Sequence, residues 1–148
     1  MTHIPGLFTL FYMLFTLVSG FVIGFYGNGS EMNTTEFHEG VGRTQVGISV
    51  NRIGEDLIVY LFNDAGHIGA VAVADYSEEE NRASVSVITR PGHKEDALAS
   101  DAAHKICNSV RKSVCVIAGI HVDNITKEEI AEILKNCEKL IPMAAAGL

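Results

Sequence analysis

The stretch VCVIAGI at residues 114–120 is an unbroken apolar run that lies between two helical patterns. Seven apolar residues without alternation are typical of a strand that is buried on both faces of a sheet. The preceding residues 94–112 repeat an apolar side chain every fourth position from Leu98 to Val110. That spacing predicts a helix with one buried stripe, so the buried strand is expected to follow a crossover helix.

Four more strands are predicted ahead of this helix, because alternating or β-branched runs are separated there by turn residues. Their bounds are residues 44–50, 57–62, 70–74 and 83–89. Gly54 favours a hairpin between the first two. The acidic run at residues 77–81 is the expected solvated tip of a second hairpin, since such charge runs are usually solvated.

A second helix is predicted after the buried strand. Thr126 and Glu129 have the spacing of a capping box, which marks a helix start. The expected apolar face consists of Ile130, Ile133, Leu134 and Cys137. The predicted fold class is therefore α+β, with the order β-β-β-β-α-β-α. We expect an antiparallel meander, one β-α-β crossover and two helices packed on the sheet.

Composition narrows the class of function. The net charge is −7, and the first thirty residues carry no Asp, Glu, Lys or Arg. An acidic chain without a basic cluster argues against nucleic acid, which is bound through concentrated Lys and Arg. The three cysteines form no Cys-x-x-Cys pair, so they indicate neither a disulfide framework nor a cysteine-rich zinc site.

The N-terminus leaves several interpretations open. Residues 6–27 are continuously uncharged and long enough to span a bilayer. They indicate a transmembrane anchor, an extension created by a start assigned ahead of Met32, or, least convincingly, a signal peptide. The predicted domains are residues 1–27 (apolar segment), 28–41 (linker), 42–141 (α/β domain) and 142–148 (tail). We expect a cytoplasmic domain, or a membrane-anchored one if the apolar segment is genuine.

The predicted topology brings three loops together. In a meander followed by a parallel crossover, the second, fourth and fifth strands end at the same edge of the sheet. The loops that follow these strands contain His67, His93 and His121 respectively. Loops at strand ends of open sheets are common ligand sites, so we expect the working surface at this edge.

The residues of these loops suggest a ligand that is flat or anionic. Pro91 and Gly92 predict a turn before the helix, whose free N–H groups could hold an anion beside Arg90, His93 and Lys94. Glu95 and Asp96 argue against this, because they already place negative charge there. Gly66 and Gly69 flank His67 and would let a flat ligand approach the backbone. A turn before a well-capped helix explains the first stretch equally well, and a glycine-rich hairpin is the favoured explanation of the second taken alone.

A metal site made from the three histidines is a further alternative, since neutral imidazoles bind zinc. The sequence contains no His-x-His or His-x-x-x-His pair that would support it. It also lacks a Gly-x-Ser-x-Gly motif, a P-loop and a dinucleotide-binding glycine fingerprint, which argues against a self-sufficient enzyme.

Two stretches in this order resemble a known family. They are GHIGAVAVA at residues 66–74 and TRPGHKED at residues 89–96, which leads into an alanine-rich helix. Together they resemble the LpdD-like family of prenylated flavin chaperones, small companion proteins of UbiD-type decarboxylases. The resemblance covers residues 42–141 and implies a fold similar to proteasome-assembly chaperones, usually dimeric.

The resemblance also implies a ligand and a partner. The chain would bind reduced prenylated FMN, or FMN, and assist a UbiD-type decarboxylase without catalysis of its own. Arg90 and Lys94 would meet the phosphate, and His67 and His93 would contact the isoalloxazine. Stacking on the flavin would depend on histidine, Tyr76 or a partner subunit.

The candidate cofactor-binding residues are therefore Gly66, His67, Gly69, Arg90, Gly92, His93, Lys94 and His121. The alternatives are a homodimeric protein-interaction module that binds no ligand and a small metal-dependent enzyme built on His67, His93 and His121.

Overall fold

The computed structural model describes residues 34–147, which form a six-stranded mixed sheet with two helices on one face. The elements are β1 (Thr35–Glu39), β2 (Val46–Ile53), β3 (Asp56–Phe62), β4 (Ala70–Ser77), β5 (Arg82–Thr89), α1 (Asp96–Val110), β6 (Val114–Gly119) and α2 (Lys127–Ala146). A short 3-10 turn, Gly42–Thr44, joins β1 to β2. The α+β class is confirmed, and so is the predicted order of elements from β2 onward.

The buried strand β6 occupies the middle of the sheet, whose order is β1-β2-β3-β6-β4-β5. It pairs parallel with β3 and antiparallel with β4. The strands of the expected meander are therefore not all neighbours, because β6 separates β3 from β4. The predicted hairpins β2–β3 and β4–β5 are both present.

The loop at residues 63–69 explains this difference. It is long enough to pass the end of β6, and Gly69 N donates to Ala118 O of β6 at 2.9 Å. The apolar run shows that β6 is buried but does not show which strands flank it.

Because β4 runs opposite to both β6 and β5, the strands β3, β5 and β6 all point the same way. Their following loops meet at one edge, as predicted.

The strand β1 corrects the expected linker at residues 28–41. It pairs with β2 along its whole length, and Phe37 is buried in the core. The sequence of this strand, TEFHE, offers one apolar residue among polar ones, which is too weak a pattern to predict a strand. His38, which the sequence analysis placed outside the domain, therefore belongs to the sheet.

One face of the sheet carries the core. Its small residues Ala70, Ala72 and Ala74 on β4 meet Ala99, Ala102 and Ala103 on α1, and all are fully buried. Small side chains on both surfaces allow the helix to pack closely on the sheet. The predicted stripe on α1 is confirmed at Ala102 and Ile106, whereas Leu98 and Val110 are half-buried at its ends.

The helix α2 begins with the predicted capping box. Glu129 N donates to Thr126 Oγ1 at 3.1 Å, and Thr126 N donates to Glu129 Oε2 at 2.9 Å. The Thr126 backbone bond, followed by the bond from Arg43, holds the pKa of Glu129 below its ordinary value. The box fixes the direction in which α2 leaves the sheet edge.

The apolar face of α2 differs from the predicted one. Ile133 and Cys137 are buried as expected, but Ile130 and Leu134 are 42% and 45% exposed. The buried stripe continues instead through Asn136, whose Nδ2 donates to Thr44 O at 3.0 Å. Leu140 and Ile141 extend this stripe, so it lies further round the helix than the first turns indicate.

Within residues 34–147, neither helix combines the length and the apolar content that crossing a membrane requires. The apolar segment at residues 6–27, on which the predicted anchor rests, lies outside the described residues.

We expect Thr126→Ala to lower the free energy of unfolding by about 1 kcal/mol, because it removes the side-chain cap of α2. The matched control is Lys127→Ala, which changes an exposed residue at the first position of the same helix and should cost less than about 0.5 kcal/mol. Urea unfolding of both variants checks this. Equal effects of the two substitutions would contradict the role of the cap.

Candidate functional site

Three histidines meet at the edge of the sheet where β3, β5 and β6 end. The ring centroids of His67 and His93 are 4.9 Å apart, and those of His67 and His121 are 5.3 Å apart. The three lie in loops far apart in the sequence, so only the parallel direction of their strands brings them together. The structure thus confirms the convergence that the sequence predicts.

Glu95 sits beneath His93 at the start of α1. Its Oε2 lies 3.2 Å from His93 Nδ1 and accepts from Lys94 N at 2.9 Å. Both side chains are mostly buried, at 17% and 16% exposure. A Cβ at Gly69 would lie 2.6 Å from this carboxylate, so Gly69 leaves the space that Glu95 fills. The negative charge predicted to oppose an anion at the helix start is therefore present there.

Asn63 holds the loop of His121 in place. Asn63 Nδ2 donates to His121 O at 2.8 Å, and His121 N donates to Asn63 Oδ1 at 3.0 Å. Both bonds go to the backbone, and the half-exposed imidazole has its Nε2 3.1 Å from Asp123 Oδ1. The sequence analysis did not select Asn63. The one feature of the sequence that could have indicated Asn63 is its position, as a polar residue directly after a buried strand.

Gly66 permits the closest approach between two of these loops. A Cβ at Gly66 would lie 2.1 Å from Gly119 O, and one at Gly119 would lie 2.1 Å from His67 O. Both clashes are with backbone oxygen, which a side-chain rotation cannot relieve. Gly66 therefore allows contact with the end of β6, whereas the sequence analysis expected it to admit a ligand.

A cavity of about 440 Å³ adjoins the three imidazoles. Five of the predicted residues line it, namely His67, Gly92, His93, Lys94 and His121. Glu95 also lines it, and the rest of its wall is aliphatic, formed by Leu98, Ile120, Ile125, Ile130, Ile133 and Leu134. Its volume lies within the roughly 300–1,000 Å³ range of small-molecule sites.

Arg90 is not among the residues that line this cavity. Its Nη1 donates to Ile68 O at 2.8 Å, and its backbone N donates to Gly69 O at 2.9 Å. Both bonds tie the loop after β5 to the loop after β3. Of the eight predicted residues, Gly66, Gly69 and Arg90 thus lie in the supporting backbone of the site.

The aliphatic wall is the part of the site that the sequence analysis missed. Ile125, Ile130 and Leu134 are 37%, 42% and 45% exposed, and all three face one cavity. Single exposed apolar residues are ordinary, but a contiguous group marks a binding surface. The helical pattern alone assigned Ile130 and Leu134 to the core, because periodicity cannot show where the neighbouring sheet ends.

A second, larger cavity of about 760 Å³ lies beside the first and shares His121 with it. Phe62 and His38 form its aromatic wall, with ring centroids 5.9 Å apart, and Phe62 stacks on Tyr60. Arg43 also lines it, but its guanidinium is paired with Glu129. Tyr76, a predicted stacking residue, lies six residues along β4 from Ala70, about 20 Å from this edge at ~3.3 Å per residue.

The geometry of the site also bears on a metal ion as the ligand. Among residues 34–147, no group of three or more His, Cys, Asp or Glu side chains is placed to hold a metal ion. His93 and His121 each direct one ring nitrogen at a different carboxylate, Glu95 and Asp123.

Comparison with known proteins identifies the family. Residues 40–148 match the prenylated flavin chaperone LpdD-like domain. The chain belongs to this family. Among solved structures, the chain is similar to a chaperone complex for yeast 20S proteasome assembly, at 11% identity and a TM-score of 0.49, covering 76% of this chain and 98% of the other. None of the curated proteins compared with the chain matches it.

We expect Gly66→Ala to lower the free energy of unfolding by roughly 1–3 kcal/mol, the usual range for an overpacked site. The added methyl would press on Gly119 O and move His67 away from its neighbours. Ala65→Ser, an exposed change in the same loop, is the control. Urea unfolding measures the first effect. An unchanged stability of the Gly66 variant would show that the two loops do not touch.

Proposed function

We propose that this protein is a non-catalytic carrier of reduced prenylated FMN, or of FMN, that assists the maturation of a UbiD-type decarboxylase. The observation that carries the proposal is one cavity that combines three imidazoles, the Lys94 cation, the Glu95 carboxylate and an aliphatic wall. Membership of the prenylated flavin chaperone family supports the same ligand.

The isoalloxazine suits this combination of groups. It is flat and carries carbonyl and ring-nitrogen atoms that exchange hydrogen bonds with a protein, and such bonds tune a bound flavin. His67, His93 and His121 offer donors and acceptors along one side of the cavity. The Glu95 carboxylate fixes the orientation of His93. A hydrogen-bond partner on one ring nitrogen also determines whether the other nitrogen donates or accepts a hydrogen bond.

Lys94 is the cation that we assign to the flavin phosphate. Among residues 34–147 no carboxylate forms an ion pair with its Nζ, whereas Arg43, which lines the larger cavity, is paired with Glu129. Glu95 occupies the N–H of Lys94, so the phosphate would bind through the lysine side chain at the cavity rim. The guanidinium of Arg90 already donates to Ile68 O and holds the adjoining loop. We therefore assign Arg90 no more than a secondary contact with the phosphate.

The aliphatic wall distinguishes the two candidate ligands. Prenylation adds an isoprenoid-derived ring to the flavin, and burial of apolar surface is worth about 0.8 kcal/mol per CH₂ group. Ile125, Ile130 and Leu134 expose apolar surface that plain FMN would leave partly uncovered. We therefore propose that prenylated FMN binds more tightly than FMN.

The proposal extends to partners. A carrier needs a recipient, and family membership supports a UbiD-type decarboxylase in that role. We further propose that the working unit is a homodimer. No nucleophile and base are needed for a protein that only holds and transfers a flavin, which agrees with the lack of recognised catalytic motifs in the sequence.

The phosphate contact is tested by anaerobic titration of the full-length chain with FMN, reduced prenylated FMN and riboflavin. Lys94→Ala should weaken both phosphate-bearing ligands by about 10-fold or more, since a charge-assisted hydrogen bond is lost. Riboflavin binding should not change. Lys105→Ala, on the exposed side of α1, is the matched control. A folded chain that binds none of the three ligands would refute the proposed function.

The aliphatic wall is tested in the same titration with Ile130→Ser. Prenylated FMN should lose several-fold more affinity than FMN, because only the prenylated form covers this wall. Ile53→Ser is the control, since Ile53 is an exposed isoleucine in the distant β2–β3 hairpin. Equal losses of affinity for FMN and prenylated FMN would show that the aliphatic wall does not distinguish the two ligands.

A protein-interaction module without a ligand makes a different prediction. It would bind the decarboxylase equally well with His67→Ala and His93→Ala, and flavin would not alter binding. The carrier hypothesis predicts that both variants slow the conversion of apo-decarboxylase to its active form when flavin is supplied on the carrier. Measuring decarboxylase activity against time separates the two hypotheses.

A further inference from the structure

The larger cavity is a second concave site at the same edge of the sheet, beside the proposed flavin site. Its volume of about 760 Å³ exceeds that of the flavin cavity. Among residues 34–147, His121 is the one residue that lines both cavities. The two linings differ in chemistry, because the larger cavity has an aromatic wall and an acidic rim.

The aromatic wall of the larger cavity is preformed. Phe62 stacks on Tyr60 with ring centroids 4.9 Å apart and ring planes 10° apart. A Cβ on Gly47 would lie 2.8 Å from Phe62 Cζ and 2.9 Å from His38 Cε1, so both rings lie directly against the backbone of β2. His38 Nε2 also lies 2.6 Å from Glu36 Oε1. The wall can therefore receive a flat group without rearrangement.

The acidic rim consists of Asp64 and Asp123. Within residues 34–147 no hydrogen bond or ion pair engages the Asp64 carboxylate, and the Asp123 carboxylate lies 3.1 Å from the half-exposed imidazole of His121. Asn63 precedes Asp64 in the chain, and its side chain bonds the backbone of His121. These bonds keep the two acidic loops at one rim.

The cation in the lining does not offset this rim. Arg43 Nε donates to Glu129 Oε1 at 2.8 Å, and Arg43 Nη2 donates to the backbone oxygen of Asp123 at 2.9 Å. Arg43 and Glu129 neutralise each other, which leaves the carboxylates of Asp64 and Asp123 without a compensating Lys or Arg in the lining. An aromatic wall and an acidic rim together are complementary to a flat cation.

We propose that the larger cavity receives an arginine side chain of the protein to which the flavin is transferred. The inference rests on the proposed function, because it requires a recipient, and it specifies how the recipient is recognised. A guanidinium is planar and weakly hydrated, stacks on aromatic faces and bonds to carboxylates through two N–H groups at once. The compact, strongly hydrated ammonium of lysine matches the rim but not the wall.

The same combination of contacts occurs elsewhere in this chain. The guanidinium carbon of Arg111 lies 5.4 Å from the centroid of the Tyr76 ring, and its Nη1 lies 3.8 Å from Glu78 Oε2. The larger cavity offers an arginine the same two surfaces through Phe62 and Asp64. Within residues 34–147 no cation lies over the ring of Phe62.

An arginine in the larger cavity would act on the flavin site through His121. A guanidinium that pairs with Asp123 competes for the carboxylate that lies beside His121 Nε2. The His121 imidazole would then lose the partner that orients it beside His67. Docking of the recipient therefore weakens one flavin contact once the recipient is in place, and bound flavin weakens arginine binding by the same factor.

The arginine site is tested with a small probe, N-acetylarginine methylamide, and with the uncharged N-acetylcitrulline methylamide as the matched control. Each probe is titrated into the histidine-labelled full-length chain and followed by NMR. The arginine probe should shift the ring signals of His38 and His121 with one saturating affinity, whereas the citrulline probe should shift neither. Equal shifts with both probes, or no shift with the arginine probe, would overturn the inference.

Two variants at opposite ends of β3 form a matched pair. Asp64→Asn removes a rim carboxylate and should weaken the arginine probe roughly 3-fold or more, the upper range for an exposed ion pair. Asp56→Asn, at the exposed start of the strand, should leave it unchanged. Phe62→Leu should also weaken the probe, with folding checked by circular dichroism. If that variant fails to fold, the exposed Asp64→Asn still decides, because equal probe affinities of the two Asp variants would contradict the site.

Transfer of flavin to an apo-decarboxylase connects the probe to the recipient. Asp64→Asn should bind flavin with unchanged affinity but activate the decarboxylase more slowly, and the arginine probe should slow activation by the wild type. Asp56→Asn should transfer flavin at the wild-type rate. Transfer by Asp64→Asn at the wild-type rate would overturn the inference.

Flavin titration with and without the probes separates this inference from the proposed function. Saturating arginine probe should lower flavin affinity by roughly 5-fold, at the low end of ordinary coupling between two sites. Binding of both ligands without mutual effect would contradict the coupling through His121. A chain that binds the arginine probe but no flavin refutes the carrier function alone, and one that binds flavin but not the probe refutes the arginine site alone. A probe that halves the mass of the protein in solution would assign the cavity to an arginine of a second copy and overturn the inference.

Discussion

The burial of β6 between β3 and β4 is the constraint on which the rest of the molecule depends. α1 covers one face of β6, where Val114, Val116 and Ala118 are buried, whereas Cys115 and Ile117 lie half-buried on the other face. The parallel pairing of β6 with β3 determines that His121 emerges beside His67. The end of β6 also contacts the loop between β3 and β4. This contact is possible because Gly66 and Gly119 have no Cβ that would clash with the opposite backbone.

Much of this could be read from the sequence. The helical stripe, both hairpins, the capping box and the convergence of three histidine loops all follow from periodicity and strand direction. The position of β6 could not, because an apolar run records burial without recording its neighbours. The strand β1 was missed for a related reason: Phe37 is its one apolar residue, and edge strands need little burial.

The site was predicted less completely than the fold. Gly66, Gly69 and Arg90 belong to the right loops, but their roles are to fit and tie the backbone. The aliphatic wall was hidden because Ile130 and Leu134 satisfy a helical pattern, yet the sheet does not extend far enough to cover them. Asn63 gave almost no signal, since its two hydrogen bonds go to the backbone of a residue 58 positions away.

The molecule thus has two apolar surfaces with different surroundings. One is small, concave and bordered by imidazoles and a lysine, and it is the surface proposed to hold a flavin. The other is the broad face of the sheet opposite the helices, whose central residues carry no charge.

The most direct test of the flavin site is the NMR spectrum of histidine-labelled full-length protein during anaerobic addition of reduced prenylated FMN. The account predicts that the ring signals of His67, His93 and His121 shift together and saturate with one affinity, while the signal of His104, on the exposed side of α1, stays in place. Saturation with no change at the three converging histidines, or equal changes at His104, would contradict it.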